Sequence, residues 1–70
     1  MSEKIEVTIN GKSQKIESIV TITKLLKILR IDNNSVAIAI NGTVVPKSEH
    51  ESFKILRNFK IEIVHAVGGG

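Results

Sequence analysis

The sequence predicts an α+β fold in which one amphipathic helix packs across one face of a sheet. Three observations carry this. Apolar residues alternate with polar ones near both ends of the chain, at Ile5, Val7 and Ile9 and again at Ile61 and Ile63. A central segment, Ile22, Leu25, Leu26 and Leu29, follows the spacing i, i+3, i+4, i+7 instead. Two Asn-Gly pairs, Asn10-Gly11 and Asn41-Gly42, punctuate the strand-like runs. Alternation puts every second side chain on one face of a strand, whereas the helical spacing collects apolar residues in a stripe. One helix cannot bury its stripe alone, so the sheet must cover it, and the far face of the sheet is left open.

The first strand is predicted where Ile5, Val7 and Ile9 alternate with Lys4, Glu6 and Thr8. Asn10-Gly11 then readily takes the positive φ angles of a two-residue hairpin, and Lys12 to Glu17 returns as a polar strand. That strand is expected at an edge, where Lys12 and Lys15 discourage pairing with another chain. Thr21 is the predicted N-cap of the helix, although Lys24 stands where a capping box would place Glu or Gln. Ile28 is expected to widen the apolar stripe, and Asp32-Asn33-Asn34-Ser35 to end the segment with turn chemistry. Val36-Ala37-Ile38-Ala39-Ile40 is apolar on both parities, as in a strand inside a sheet. Asn41-Gly42 repeats the hairpin signal, and Thr43-Val44-Val45 runs back to Pro46, which lacks a ladder donor. Lys47 to Ser52 predicts a turn or one short helical turn, after which Phe53 and Ile55 return to the core. Lys60 to His65 alternates again as the last strand. The expected order is strand, strand, helix, strand, strand, strand.

Seventy residues make one domain, and a chain this short buries only about 60% of the surface its unfolded form exposes. The boundaries predicted are a domain over residues 1–66 and a flexible tail over 67–70. Phe53 and Phe59 are the only aromatic residues, so isoleucine, leucine and valine must fill the interior. There is no cysteine, which excludes disulfides and thiolate metal sites. Met1-Ser2-Glu3-Lys4 lacks an apolar leader, and no apolar run approaches the roughly 20 residues that span a bilayer. A soluble, cytoplasmic chain without membrane contact is expected. The formal charge is +3, but the lysines are interleaved with Glu3, Glu6, Glu17, Asp32, Glu49, Glu51 and Glu62. With neither a basic block nor Trp or Tyr for base stacking, nucleic-acid binding is not expected. His50 lies between Glu49 and Glu51, yet neighbours in sequence do not share a face of a strand or helix, so no metal site is expected. The serines and threonines show no nucleophile-elbow pattern, and no catalytic side chain is predicted.

The most informative residues are the last four, Val67-Gly68-Gly69-Gly70. Glycine has no Cβ, so this stretch can thread a channel too narrow for side chains. An α-carboxylate at Gly70 is ionised at neutral pH and can attack the α-phosphate of a nucleotide, giving an acyl-adenylate ready to accept sulfur or an amine. Ala37 and Ala39, if they point to the open sheet face, would give a shallow apolar surface for a partner. Phe59 is predicted either as an extra core anchor or as an exposed contact, and His65 as a surface residue near the tail.

This order of elements, with one helix on a curled mixed sheet and terminal glycines, resembles the ubiquitin-like β-grasp fold. Within that group it resembles the ThiS family, the sulfur carriers of thiamine biosynthesis. The stretches that carry the resemblance are Ile9-Asn10-Gly11, Val36-Ala37-Ile38-Ala39-Ile40-Asn41-Gly42 with Val44-Val45-Pro46, and Ile61-Glu62-Ile63-Val64 leading to Val67-Gly68-Gly69-Gly70. The resemblance implies that an E1-like (ThiF-like) enzyme uses ATP and Mg²⁺ to adenylate Gly70, with Gly69 and Gly68 as a thin stalk. A sulfur donor enzyme would then convert the acyl group to a thiocarboxylate, which would give its sulfur to a thiazole synthase (ThiG-like). The chain would be a protein cosubstrate that binds no cofactor of its own.

Two features depart from that family. Arg57-Asn58-Phe59-Lys60 replaces the Gly-Asp turn often found before the last strand, and the net charge is positive where many such carriers lean acidic. The same tail would also suit a molybdopterin-synthase small subunit or a ubiquitin-related protein modifier. A small nucleic-acid or protein interaction module is the alternative of a different class, and it predicts that loss of Gly70 leaves function intact.

Overall fold

A computed structural model describes residues 3–18 and 20–65. The chain forms β1 (Lys4–Ile9), β2 (Lys12–Glu17), β3 (Val20–Thr21), α1 (Ile22–Ile28), β4 (Val36–Ile40), β5 (Thr43–Val45), β6 (Lys54–Ile55) and β7 (Lys60–His65). Single turns of 3₁₀ helix occupy Asn33–Ser35 and Lys47–Glu49. Five strands make one sheet in the order β2-β1-β7-β4-β5, and β3 and β6 make a second, two-stranded sheet. β1 and β7 are parallel, while the β1–β2, β7–β4 and β4–β5 pairs are antiparallel. A mixed sheet with one helix is therefore present as predicted, and polar β2 lies at an edge.

Both hairpins follow from their turn residues. Asn10 and Gly11 have φ of 49° and 84°, and Asn41 and Gly42 have 52° and 88°. Positive φ at both central positions matches the right-handed twist of the flanking strands, and it is why Asn-Gly specifies these turns. Alternation then decides the faces. Ile5, Val7, Ile9, Val36, Ile38, Ile40, Ile61 and Ile63 point inward and form one core with Ile22, Leu25 and Leu26 of the helix. Thr21 caps the helix as predicted, its hydroxyl accepting from the Lys24 N–H at 3.2 Å.

The far end of the helix differs from expectation. It stops before Asp32: Arg30 is left-handed at φ 60°, its N–H donates to Lys27 O at 3.1 Å, and the Ile31 N–H donates to Leu26 O at 2.9 Å. These are the two bonds of a Schellman ending, with arginine where glycine is usual, so no local signal marked it. Asp32 caps the next 3₁₀ turn instead, accepting from the Asn34 N–H at 3.0 Å and the Ser35 hydroxyl at 3.2 Å. Ile28 does not widen the buried stripe and is 50% exposed. At about 100° per residue it sits well away from the line through Ile22, Leu25, Leu26 and Leu29.

Two further differences arise from pairings distant in sequence. β3 and β6 escaped detection because two residues carry no period. His50, expected in a polar turn, is completely buried. Its Nε2 donates to Val45 O at 2.9 Å, and its Nδ1 pairs with the side-chain amide of Asn33 at 2.7 Å. Two partners make this burial tolerable, since a buried polar group is costly chiefly when unpaired.

Candidate functional site: the open sheet face and the exit of the last strand

β7 leads to the carboxyl-terminal residues and lies in the middle of the sheet, between β1 and β4. Asparagines of both hairpin turns grip it. On one side, the Asn41 N–H donates to Lys60 O at 2.8 Å and Asn41 Oδ1 accepts from the Lys60 N–H at 2.9 Å. On the other, β1 and β7 follow a regular parallel ladder: the Thr8 N–H donates to Phe59 O at 3.0 Å and the Asn10 N–H to Ile61 O at 2.9 Å. The next donor in that rhythm would be residue 12, but the chain has turned away. The Asn10 side chain supplies the missing bonds, Oδ1 accepting from the Ile63 N–H at 2.8 Å and Nδ2 donating to Ile63 O at 3.2 Å. A main-chain N–H and C=O that would otherwise lack protein partners are satisfied by one amide.

The residues of opposite parity to the core build the open face. It is divided by composition. Over β1 and β2, opposite charges face one another across the strands, Lys4 with Glu17 and Glu6 with Lys15, an arrangement that supports pairing. Over β4 and β5 it is apolar: Ala37 is opposite Val64 of β7, and Ala39 lies between Val44 of β5 and the charged Glu62 of β7. Val44 and Val64 are 68% and 60% exposed, and Ala37 is exposed with Ala39 half-buried beside it. Two small residues and two valines make a shallow apolar patch that reaches β7 only at Val64, since the exposed Glu62 lies opposite Ala39.

Of the residues singled out from sequence, Ala37 and Ala39 thus lie together on the open face. His65 is exposed at the end of β7, opposite Val36. Phe59 takes the core role of its two readings: it is half-buried, packs against the core, and meets Phe53 with ring centroids 6.4 Å apart and planes tilted by 53°. Asn58 makes the turn before β7 with φ 68°, its N–H donating to Glu6 O at 2.7 Å. Val67, Gly68, Gly69 and Gly70 lie outside the described residues. Val44 and Val64 beside the two alanines, and Asn10 against Ile63, are placements that the sequence reading does not single out. Val64 was marked by its parity, opposite to that of Ile61 and Ile63, whereas nothing local distinguished Asn10 from an ordinary turn residue. Glu49, His50 and Glu51 do not converge, and the described residues include no group of three or more His, Asp or Glu that could hold a metal ion. Among the described residues no helix is long and apolar enough to cross a membrane.

Comparison with known proteins agrees with this geometry. The model of the ThiS family matches residues 7–70. The thiazole synthase of Paramagnetospirillum magneticum is 33% identical over 66 residues, covering 94% of this chain but 20% of that protein. The chain therefore spans about a fifth of the length of that relative. The uncharacterized protein ycf40 of Porphyra purpurea is 31% identical over 70 residues, covering all of this chain and 99% of its own. Among solved structures, the crystal structure of the thiamine biosynthesis protein ThiS from Geobacter metallireducens superposes with a TM-score of 0.84 at 23% identity, over 94% of this chain and 100% of that one. The solution structure of a thiamine biosynthesis protein from the same organism gives 0.77 at 23% identity, over 94% and 88%. At that identity the structural likeness establishes the ubiquitin-like β-grasp fold, and the sequence match over residues 7–70 establishes the rest: the chain belongs to the ThiS family.

Proposed function

We propose that this chain is a sulfur carrier for thiazole formation in thiamine biosynthesis, acting as a protein cosubstrate through the α-carboxylate of Gly70. The observation that carries the reading is the family match, which extends through the terminal glycines. The carboxylate oxygen attacks the α-phosphorus of ATP on an E1-like enzyme, and pyrophosphate leaves. Sulfide released by a donor enzyme then attacks the acyl carbon with its lone pair, the acyl–phosphate bond breaks and AMP leaves, so that the chain ends in a thiocarboxylate with no change in oxidation state. ATP and Mg²⁺ belong to the activating enzyme. No side chain of the carrier reacts; the fold's contribution is to present the carboxyl end beside a surface that a partner can hold.

A thiazole synthase is the proposed acceptor. Its support is the relative of that name, which contains a segment resembling nearly all of this chain within a much longer polypeptide. Two activities joined in one protein are held close, which raises the effective concentration of one for the other. The apolar patch of Ala37, Ala39, Val44 and Val64 is the proposed docking surface, and solvated cytoplasm the proposed location.

Intact-mass measurement tests the reading. Incubation with the adenylating enzyme, ATP, Mg²⁺ and a sulfur source should give a mass change that fits sulfur in place of oxygen, absent without ATP and absent when Gly70 is deleted. An unchanged mass with a demonstrably active enzyme overturns it. A ladder of heavier conjugates resistant to reducing agent would indicate a protein modifier instead.

A further inference from the structure

We infer that Asn10 is a positioning residue for the reaction at Gly70, holding the last strand through the end of its paired length; this rests on the carrier function proposed above. The main-chain pairing of β1 with β7 ends at Ile9 opposite Ile61. Beyond that point the side-chain amide of Asn10 holds β7 from the β1 side, through its two bonds with Ile63 at 2.8 and 3.2 Å. On the β4 side the ladder continues to Val36 opposite His65. Without the amide, Ile63, Val64 and His65 would be held from one side only.

The consequence follows from chain entropy. Residues of β7 held from one side only move more and must be stilled whenever the carboxyl end enters an adenylating site, and the cost falls on the step that brings the carboxylate to ATP. The docking patch is less affected, because Ala37, Ala39 and Val44 belong to β4 and β5, and Val64, its one residue on β7, stays paired with Ala37 on the β4 side. The amide therefore serves the reach of the tail more than the binding of the carrier.

The test is the adenylation kinetics of the full chain with its activating enzyme, comparing wild type with Asn10→Gly. Glycine keeps the left-handed backbone of the turn, φ 49° at this position, while removing the amide; its added backbone freedom lowers stability, which the KM readout separates. The expected result is a kcat lower by about tenfold, with KM for the carrier within about twofold. Simple loss of stability gives the opposite pattern, since an unfolded fraction lowers the concentration of competent carrier and raises apparent KM while kcat stays. Hydrogen exchange at the Ile63 amide should accelerate in the variant, with the Ile38 amide unchanged. Should Asn10→Gly fail to fold, Asn10→Asp, which keeps an acceptor for the Ile63 N–H, is measured in the same way. Wild-type kcat in the variant, or a lowered kcat with unaltered Ile63 exchange, overturns the inference alone. A wild-type chain that the active enzyme does not adenylate overturns the carrier reading and the inference together.

Discussion

The ring of His50 and the side-chain amide of Asn33, 17 residues apart in sequence, meet at 2.7 Å and tie the two 3₁₀ turns together. The Lys47 ammonium makes a second link between the same turns, donating to Asn34 O at 3.0 Å, but it is exposed. Burial decides which link matters. Removing the completely buried ring leaves Val45 O and the Asn33 amide without their partner and opens a cavity, so His50→Ala should cost about 2–4 kcal/mol. Lys47→Ala should change stability by less than about 0.5 kcal/mol. Urea unfolding of the two variants checks the contrast, and equal effects would refute it.

Arg30 adopts φ 60° to end the helix. A left-handed backbone costs a residue with a Cβ about 1–2 kcal/mol, partly offset because glycine has more freedom to lose from the unfolded chain. Arg30→Gly should therefore raise stability by about 0.5–1 kcal/mol, moving the urea midpoint upward with an unchanged slope. A lowered midpoint would mean that the arginine side chain makes a contribution absent from this account.

Gly42 provides the converse case. Its φ is 88°, and a Cβ built there meets nothing within 4 Å. The penalty for Gly42→Ala is thus one of backbone conformation without steric clash, about 0.5–1 kcal/mol once the smaller freedom of alanine in the unfolded chain is set against it. For a domain of this size that lowers Tm by about 4–8 °C per kcal/mol, measurable by calorimetry.

On the open face, Ala37→Glu and Val64→Lys would each put a charge into the apolar patch. Both positions are exposed, so stability should stay within about 0.5 kcal/mol of wild type. Binding to the adenylating enzyme or to thiazole synthase should weaken by about tenfold or more, equivalent to about 1.4 kcal/mol. Lys15→Ala, on the charged half of the same face, should leave both affinities nearly unchanged. Titration calorimetry with each partner distinguishes the halves, and equal losses at Lys15 and Ala37 would remove the patch from its proposed role.

Elements with a strong local signal were legible in advance. Asn-Gly reports the φ angles of its turn, Thr21 reports a cap, and the alternation of Ile5, Val7 and Ile9 or of Ile61 and Ile63 reports a buried face. The open-face position of Ala37 and Ala39 was half legible, since a strand apolar on both parities leaves open which side is the core. Pairing answered it by placing Val36, Ile38 and Ile40 under the helix. Ile28 was misplaced because apolar character was read without its angular position.

The sequence by itself determined the one helix and the five longer strands, the two hairpins, the inward parity of the long strands and the family to which the chain belongs. Each of these is encoded within a few residues, where propensity and period act directly. Only the tertiary structure decided the burial of His50, the meeting of Val64 and Val44 with the two alanines, the pairing of β3 with β6, and the grip of Asn10 on Ile63 across 53 positions. These depend on which segments become neighbours, and a hydrogen bond or an apolar contact forms only once the sheet has brought its partners within reach.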